Sequence, residues 1–278
     1  MRKYFCFAPT PVCQEQCVLT LGMFDGVHQG HQYLLKRAKE VAFKQNALFV
    51  VLTFRELPKA QNNLIITSYH KNVLLEQLGV DILVELAFSE GIKNLHPKQF
   101  LDLVETMFPV STWVVGEDLR FGADRLGDPA FLSQLTQGRV EVVEQYFREE
   151  FSSTNVRRNI SQGNLSKASF LLGRTYSLMG KAHVFDSAPF LQEESDGGFQ
   201  LPPLTSTKTS LTLDAKDLCL PQLGSWHALV RLGEEYHDLP AACSISSEKS
   251  CFLTLHDKLP LPPTLFPEVI LLSKIEKL

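Results

Sequence analysis

The feature that most constrains this sequence is an alternation of short apolar segments with helix-like segments through its first half. The apolar segments have the length and composition of buried strands. The segments between them carry apolar residues on one helical stripe. This alternation predicts a parallel sheet with helical crossovers, an α/β fold. The predicted strands are Cys17–Met23, Ala47–Phe54, Asp81–Phe88, Thr112–Asp118 and Arg139–Tyr146, and the predicted helices are Gln32–Asn46, Tyr69–Leu78, Pro97–Met107 and Asp128–Thr136.

The pattern changes near Gly173, where prolines and short alternating segments replace the helical stripes. Alternating apolar stretches separated by turn residues are typical of a small β-barrel or sandwich. The stretch Ser153–Leu172 has the pattern of two short helices that join the halves. We therefore predict an α/β domain over residues 1–172 and a small β-barrel over residues 173–278.

Composition and charge exclude several classes of protein. The net charge of −4 over 278 residues gives no global basic field, so we expect no nucleic-acid partner. No apolar run reaches the roughly 18 residues of a membrane span, and the N-terminal apolar run is too short for a secretory signal. The six cysteines form no C-x-x-C pair. We expect a reduced, cytoplasmic protein without a disulfide framework or a membrane segment.

The segment LGMFDGVHQGHQYLLKRA places a glycine turn and two histidines between the first predicted strand and its helix. Free N–H groups and the helix dipole make such a turn an anion site. Gly22 and Gly26 allow a tight turn, and Gly30 allows a ligand or a neighbouring chain to approach closely. His28 and His31 are three apart, so on a helical turn their Cβ atoms lie about 5–6 Å apart. Two imidazoles at this spacing can straddle a triphosphate and stabilise its transition state.

Other interpretations of the histidines remain open at this point. A histidine near a helix end is often a cap or a surface residue, and zinc would need a third ligand that is not evident nearby. The phosphate loops G-x-x-x-x-G-K-[ST] and G-x-G-x-x-G are absent from the sequence, which disfavours a P-loop or a dinucleotide site.

A second segment with phosphate-binding potential is FSSTNVRR, residues Phe151–Arg158. Serine and threonine are favoured at helix N-caps, and the guanidinium of Arg157 can fork onto phosphate oxygens. Alone, this segment is an ordinary helix start. Its significance comes from its occurrence together with the histidine motif.

Four motifs in order, GMFDGVHQGH, VVGEDLRFGADRLGD, FSSTNVR and LLGRTYSLMGK, resemble the bacterial bifunctional riboflavin kinase/FAD synthetase family. The resemblance covers about two thirds of the chain. The first and third motifs identify only the wider nucleotidyltransferase superfamily, whereas the second is much more specific. The resemblance implies a Rossmann-like nucleotidyltransferase domain of the H-x-G-H type, followed by a β-barrel of the riboflavin kinase type.

The resemblance further implies that the first domain is an FMN adenylyltransferase. The phosphate of FMN attacks the α-phosphorus of ATP, giving FAD and pyrophosphate, with Mg²⁺ bridging the phosphates. The implied substrates are therefore ATP and FMN, and no metal ligand is assigned to the protein. A salt bridge that fixes a loop is the alternative for Asp118 and Arg125. By this resemblance, His28 and His31 contact the triphosphate and stabilise its transition state, and Ser153, Thr154 and Arg157 hold the leaving β- and γ-phosphates. Asp118 and Arg125 order the adenylate or flavin pocket. The residues that shape the ATP-binding turn are Gly22, Phe24, Asp25 and Gly30.

The sequence also departs from the family pattern. The family usually has T-F-x-P-H-P after the second strand, where this chain reads TFRELP over Thr53–Pro58, and Asn155 replaces a common arginine. In the barrel, no P-T-A-N follows Gly173–Gly180, and the segment Ser250–Asp257 lacks the expected catalytic glutamate. We expect a kinase-like barrel that has lost kinase chemistry.

Three alternatives remain open. The protein could be fully bifunctional and also phosphorylate riboflavin, or it could be a flavin- or nucleotide-binding regulator without turnover. A cytidylyltransferase for another small phosphate ester is the remaining enzymatic alternative.

Overall fold

The computed structural model describes residues 1–6, 12–54, 63–87, 89–144, 150–185, 209–232, 236–246, 250–255 and 264–275, together with Leu259 and Leu261. The chain divides into two compact units. The first contains Met1–Gln61 and Lys71–Ser152, and the second contains Asn62–His70 and Ser153–Leu278.

A six-stranded sheet forms the centre of the first unit, and every strand pair in it is parallel. Its strands in chain order are β1 (Arg2–Cys6), β2 (Cys17–Leu21), β3 (Leu48–Phe54), β4 (Ile82–Leu86), β5 (Val110–Gly116) and β6 (Val140–Val143). Across the sheet the order is β1-β4-β3-β2-β5-β6. The predicted parallel sheet is therefore confirmed.

Helices connect these strands. They are α1 (Gln29–Gln45), α2 (Ser68–Gln77), α3 (Glu90–Lys93), α4 (Pro97–Met107) and α5 (Pro129–Leu135). The division between the two units falls within α2. Helix α4 begins at a proline, which needs no N–H partner in a first turn, and His96 caps it together with Gln99.

The central strands β2, β3 and β4 are buried on both faces, as strands of parallel sheets usually are. Leu19, Val84 and Trp113 belong to one core cluster with Phe100 and other apolar residues of α4. Because side chains alternate along a strand, their neighbours in sequence point to the opposite face, where α1 packs on β2, β3 and β5. The central strands are therefore almost entirely apolar.

The predicted strands and helices of the first half are all present, with boundaries shifted by at most three residues. The expected number of five strands was wrong, because β1 adds a sixth at the sheet edge, paired with β4. The pattern of the N-terminal segment predicts no strand there. Its few apolar residues before a proline gave no alternation with a helix.

The second unit contains two helices and an antiparallel sheet. The helices α6 (Ser153–Ser161) and α7 (Leu165–Leu172) confirm the two predicted short helices and pack on each other. The strands are β7 (Ser177–Met179), β8 (Ala182–Phe185), β9 (Ser210–Asp214), β10 (Gly224–Leu232), β11 (Tyr236–Ile245), β12 (Ser250–Leu255), β13 (Thr264–Leu265) and β14 (Glu268–Lys274).

The strand order is β13-β8-β9-β12-β11-β10-β14-β7, with every pair antiparallel. Burial alternates along β12, so one face of the sheet packs on a core that includes Cys251, Leu253 and Leu255. Over the described part of this unit, the edge strands β13 and β7 do not pair with each other. The sheet is therefore a curled half-barrel rather than a hydrogen-bonded closed barrel.

The predicted boundary at residue 172 differs from the division into compact units, which assigns α6 and α7 to the second unit. The boundary as a division of function stays a prediction. No helix in the described segments has the length and apolar character needed to span a membrane.

His70 is a buried neutral imidazole in the second unit. It is 2% exposed, and burial, then the Arg174 guanidinium, lowers its pKa to about 3. Its Nδ1 atom has no hydrogen-bond partner among the described residues. Between pH 6.5 and about 3, the unfolded chain protonates this side chain and the native unit does not. The contribution of neutral His70 to the unfolding free energy is therefore present at neutral pH and is lost as the pH is lowered from 6.5 to about 3.

We expect His70→Gln to remove this pH dependence. Between pH 7 and pH 5 the wild-type unit loses about 2 kcal/mol of unfolding free energy through His70, and H70Q does not. Urea unfolding followed by Trp226 fluorescence in a Trp113→Phe background measures this, because the chain has two tryptophans and only Trp226 lies in the second unit. His183→Gln is the control, since His183 is exposed. Equal pH dependence in wild type and H70Q would contradict the assignment.

Candidate active site

The parallel sheet of the first unit has a topological switch point between β2 and β5. From β2 the sheet continues through β3 and β4 on one side, whereas β5 and β6 lie on the other. In open α/β sheets, ligands bind at the carboxyl ends of the strands beside such a point. The turn with the two histidines follows β2, and the VVGED segment contains the end of β5 and the start of the next turn. Both predicted site segments of this unit therefore begin at the switch point.

The turn after β2 has a strained backbone. Phe24 has φ 50° and ψ 31°, and Val27 has φ 40°. The left-handed region is ordinary for Gly26, with φ 81°, but unfavourable for an aromatic residue and more so for a β-branched one. Phe24 and Val27 are both buried, so core packing holds the turn in place. Strain of this kind is concentrated at functional sites.

His28 is the N-cap of α1 rather than a residue of its first turn. Its Nδ1 accepts a hydrogen bond from the backbone N–H of His31 at 3.4 Å, and its carbonyl accepts the first helical bond from Gln32 at 2.9 Å. Serine, threonine, aspartate or asparagine usually fills this position. Because Nδ1 accepts, the neutral ring carries its proton on Nε2. The cap thus fixes both the orientation and the tautomer of His28.

The imidazole rings of His28 and His31 stack, with centroids 3.7 Å apart and planes 20° apart. We predicted a pair that straddles a triphosphate, but this contact leaves no space between the rings. A ligand must instead meet the ring edges. Phe24 contacts His31 from another side, with centroids 5.3 Å apart in an edge-to-face arrangement. The strained turn and the helix cap therefore build one cluster of three rings.

His31 is neutral at pH 7. Burial, then the neighbouring His28 ring and the Lys71 ammonium, holds the pKa of His31 well below its ordinary value of 6.5. Its Nδ1 is buried and has no hydrogen-bond partner within the described part of the chain. His31 therefore offers a neutral imidazole, not an imidazolium cation, in the first turn of a 17-residue helix.

The other residues predicted in this turn surround the ring cluster. Gly22 follows β2, and a Cβ built on it would lie 3.0 Å from Cζ of Phe24. Gly30 is buried in the first turn of α1, and Asp25 is buried within the turn itself. The predicted roles of these residues in shaping the turn agree with their positions, while their binding of ATP stays a prediction.

Three polar residues behind the turn were not among the predicted site residues. Lys71 of α2, Thr53 of β3 and Glu85 of β4 are all buried. Burial lowers the pKa of Lys71, while the carboxylates of Glu85 and then Asp25 raise it. Two features of the sequence could have indicated them. Glu85 is a carboxylate inside the otherwise apolar strand DILVELAF, and Lys71 precedes Leu75 by four residues, on the same face of a helix.

Asp118 and Arg125 lie in the segment after β5. Both are exposed. Phe121 and Gly127 exchange two backbone hydrogen bonds, of 3.1 and 2.9 Å, which close the loop that carries Arg125. Arg125 itself has φ 59° in a short 3-10 helix. The closed loop gives this arginine a defined place on the first unit, and the roles of the two residues in a nucleotide or flavin pocket stay predictions.

The residues Ser153, Thr154 and Arg157 belong to α6 in the second unit. They lie within the first turns of this helix, as predicted. Arg157 donates from Nε to the carbonyl of Asn63 at 2.8 Å. Asn155 accepts from the guanidinium of Arg158 at 2.5 Å, so the residue that replaces an arginine of the family pattern orients another arginine. The convergence of these residues with the histidines on one nucleotide stays a prediction.

Several predicted segments lie partly or wholly outside the described residues. These include Arg55–Pro58 of the TFRELP departure, most of the stretch after Lys181 that lacks P-T-A-N, and the last two residues of Ser250–Asp257. The ends of two predicted strands, at Phe88 and Tyr146, also lie outside them. No group of three or more histidine, cysteine, aspartate or glutamate side chains is placed as metal ligands in the described ranges.

The fold and the site define an α/β protein with a histidine-bearing turn at the switch point of a parallel sheet. Residues 10–156, which are 147 of the 278, match the FAD synthetase family, and the chain belongs to this family. The family match contains both the histidine turn and the start of α6.

Relatives of this chain carry the name bifunctional riboflavin kinase/FMN adenylyltransferase. The protein of Listeria monocytogenes is 33% identical over 59% of this chain and 55% of its own length. Those of Bacillus subtilis and Escherichia coli are 31% and 35% identical, over 60% of this chain and 56% and 58% of their own lengths. The matched part of this chain thus spans little more than half the length of these relatives.

The fold as a whole has a counterpart among solved structures. A structure described as a macrolide-efflux protein from Streptococcus pneumoniae aligns with a TM-score of 0.77 over 99% of this chain and 100% of its own. At 22% identity this similarity concerns the fold alone.

We expect Gly22→Ala to disrupt the ring cluster. Its Cβ would press on the ring of Phe24, which the buried left-handed turn prevents from moving. We expect a loss of about 1–3 kcal/mol of unfolding free energy, as for overpacking, and a shift of the His31 ring resonances. Urea unfolding and NMR measure the two effects. The control is Gly91→Ala in α3, where the new Cβ meets only Ser89 Oγ at 3.7 Å. A stable G22A protein with wild-type His31 resonances would show that the cluster does not need this glycine.

Proposed function

We propose that this chain transfers AMP from ATP to FMN, giving FAD and pyrophosphate. The observation that carries the proposal is the stacked His28–His31 pair, with His31 neutral, at the N-terminus of α1. It lies at the switch point of the sheet, within the residues that match the FAD synthetase family. The names of the relatives support the same reaction, since each includes FMN adenylyltransferase.

In the proposed reaction, a phosphate oxygen of FMN attacks the α-phosphorus of ATP. A new P–O bond forms, the bond between the α-phosphorus and the bridging oxygen breaks, and pyrophosphate leaves with that oxygen. Negative charge grows on the phosphate oxygens as this happens. The Nε2–H of His28 and the imidazole N–H of His31 are donors suited to these oxygens, whereas the backbone N–H of His31 is used in the helix cap.

Neutral donors have an advantage at this site. Imidazolium cations would bind ATP tightly already in the ground state. A fixed, neutral N–H dipole instead interacts most strongly with the oxygens on which negative charge develops in the transition state. The cap hydrogen bond and the ring stack hold both rings before the substrate arrives. The pair therefore contributes mainly through prior orientation.

The remaining roles are taken over from the family resemblance. We propose that Ser153, Thr154 and Arg157 hold the leaving phosphates, and that Asp118 and Arg125 order the adenylate or flavin. Mg²⁺ would be part of the Mg-ATP substrate and would supply positive charge to the phosphate oxygens. A cytoplasmic location and the lack of a nucleic-acid partner stay predictions.

We expect His31→Ala and His28→Ala each to lower kcat/KM for FAD formation about 10²–10³-fold, because each removes one transition-state donor. Chromatographic separation of FMN and FAD after reaction with Mg-ATP measures the rate. His96→Ala is the matched control, because His96 also caps a helix through Nδ1, at Lys98 N, but lies on α4. H96A loses a cap and keeps the activity. Wild-type rates in both H28A and H31A would refute the assigned role.

We further propose that the second unit no longer phosphorylates riboflavin. The segment Gly173–Gly180 is present, with Ser177–Met179 forming β7, but P-T-A-N is absent from the sequence that follows. Strand β12 contains no glutamate. A half-barrel that lacks these groups retains the fold without the residues that the family uses for Mg-ATP and for the catalytic base.

One assay distinguishes these proposals from their alternatives. With riboflavin and Mg-ATP we expect no FMN, and with FMN and Mg-ATP we expect FAD and pyrophosphate. Formation of FMN from riboflavin would show a bifunctional enzyme. Absence of pyrophosphate release with FMN would favour a flavin-binding regulator without turnover. A cytidylyltransferase would instead consume CTP with another phosphate ester.

A further inference from the structure

The first unit buries a lysine ammonium beside the histidine pair. Lys71 is 6% exposed, in the part of α2 that belongs to this unit. A buried ammonium is unfavourable unless it is hydrogen-bonded and balanced by opposite charge. A buried ammonium is therefore expected to have partners that offset the free energy of its desolvation.

The partners of Lys71 connect three elements. Its Nζ donates to Thr53 Oγ1 and to the carbonyl of Phe54, both at 3.2 Å. Thr53 Oγ1 in turn donates its proton to the carbonyl of Met23 at 3.3 Å. The directions are mutually consistent, because a hydroxyl has one proton to donate and lone pairs that accept from the ammonium. We name this hydrogen-bond sequence the Lys71–Thr53–Met23 chain.

The chain ends at the strained turn. Met23 directly precedes Phe24, whose left-handed backbone brings its ring against His31. A carbonyl held at Met23 limits rotation of the peptide plane that leads into Phe24. The chain therefore links α2 and the end of β3 to the position of the ring cluster.

Charge also connects Lys71 to the site. The Lys71 ammonium is one of the groups that keep His31 neutral, and it interacts with the carboxylates of Asp25 and Glu85. Glu85 is 3% exposed, and within the described residues its Oε1 has no hydrogen-bond partner. Two carboxylates thus face one ammonium in a buried region, and both raise the pKa of Lys71 against the lowering effect of burial.

We propose that Lys71 is a positioning residue for adenylyl transfer, which acts through Thr53 on the turn that presents His28 and His31. This inference rests on the proposed function. It concerns Lys71 and Thr53, whose hydrogen bonds lead to the turn that precedes the rings.

Thr53 provides the sharpest test, because its variants leave the buried charges in place. Thr53→Val has nearly the same shape but lacks the hydroxyl, while Thr53→Ser keeps the hydroxyl. We expect T53V to lower kcat for FAD formation about 10- to 100-fold, which matches the loss of one hydrogen bond to a charged group, with a smaller change in KM. T53S restores most of the rate.

Lys71→Met removes the charge and the donor together. We expect a similar loss of kcat, and a T53V/K71M double variant no slower than the slower single variant, because both act through one chain. Lys98→Met is the control, since Lys98 is exposed and pairs with Asp102 on the surface of α4. It keeps the wild-type rate. If K71M fails to fold, the comparison of T53V with T53S decides alone.

A spectroscopic measurement does not depend on turnover. The His28 and His31 ring resonances report their stacking, and we expect them to shift in T53V and return towards wild type in T53S. If wild-type protein makes no FAD, the proposed function and a role in that reaction both fall, whatever the spectra show. If it makes FAD and T53V keeps both the wild-type kcat and the wild-type resonances, the inference alone is overturned.

Discussion

The hydrogen bond from the backbone N–H of His31 to Nδ1 of His28 is the contact on which the site depends. It caps a 17-residue helix and, in the same contact, sets the plane and tautomer of one imidazole against the other. A serine or aspartate at this position would cap the helix equally well. Neither would place a ring there. The unusual capping residue therefore combines a structural task with a chemical one.

This cap occurs where the rest of the first unit is least relaxed. Phe24 and Val27 adopt left-handed backbone conformations, and a lysine and two carboxylates are buried nearby. Each of these features is unfavourable in isolation. They persist because the parallel strands beneath them are buried on both faces and supply a rigid apolar layer. The buried apolar strands thus support the turn and the buried charged residues near it.

The sequence predicted the fold of the first unit well, because buried parallel strands and amphipathic helices have distinct periods. Helix α4 matches its prediction at both ends, since Pro97 marks the start and an apolar stripe continues to Met107. Strand β1 was missed, because an edge strand of five residues followed by a proline has no period to detect. The division between the units was also unpredictable from pattern, since it falls inside α2.

The site was predicted only in part. Spacing brought His28 and His31 together, but it could not show that His28 caps the helix from outside or that the rings stack, because both depend on the non-helical backbone of the preceding turn. Lys71 and Thr53 were not predicted for a different reason. Their hydrogen bonds join α2 to β3, and β3 to the turn after β2. Contacts between elements that are distant in sequence produce no periodic pattern of residues.

The second unit shows why its fold and its activity require separate arguments. In β12 the inward residues Cys251, Leu253 and Leu255 are buried, whereas the residues between them are only partly covered. Packing therefore constrains alternate positions and leaves the others open to replacement. A catalytic carboxylate at an open position can be lost without disturbing the core. Similarity of fold, even over 99% of the chain, consequently carries no information about whether such a group is retained.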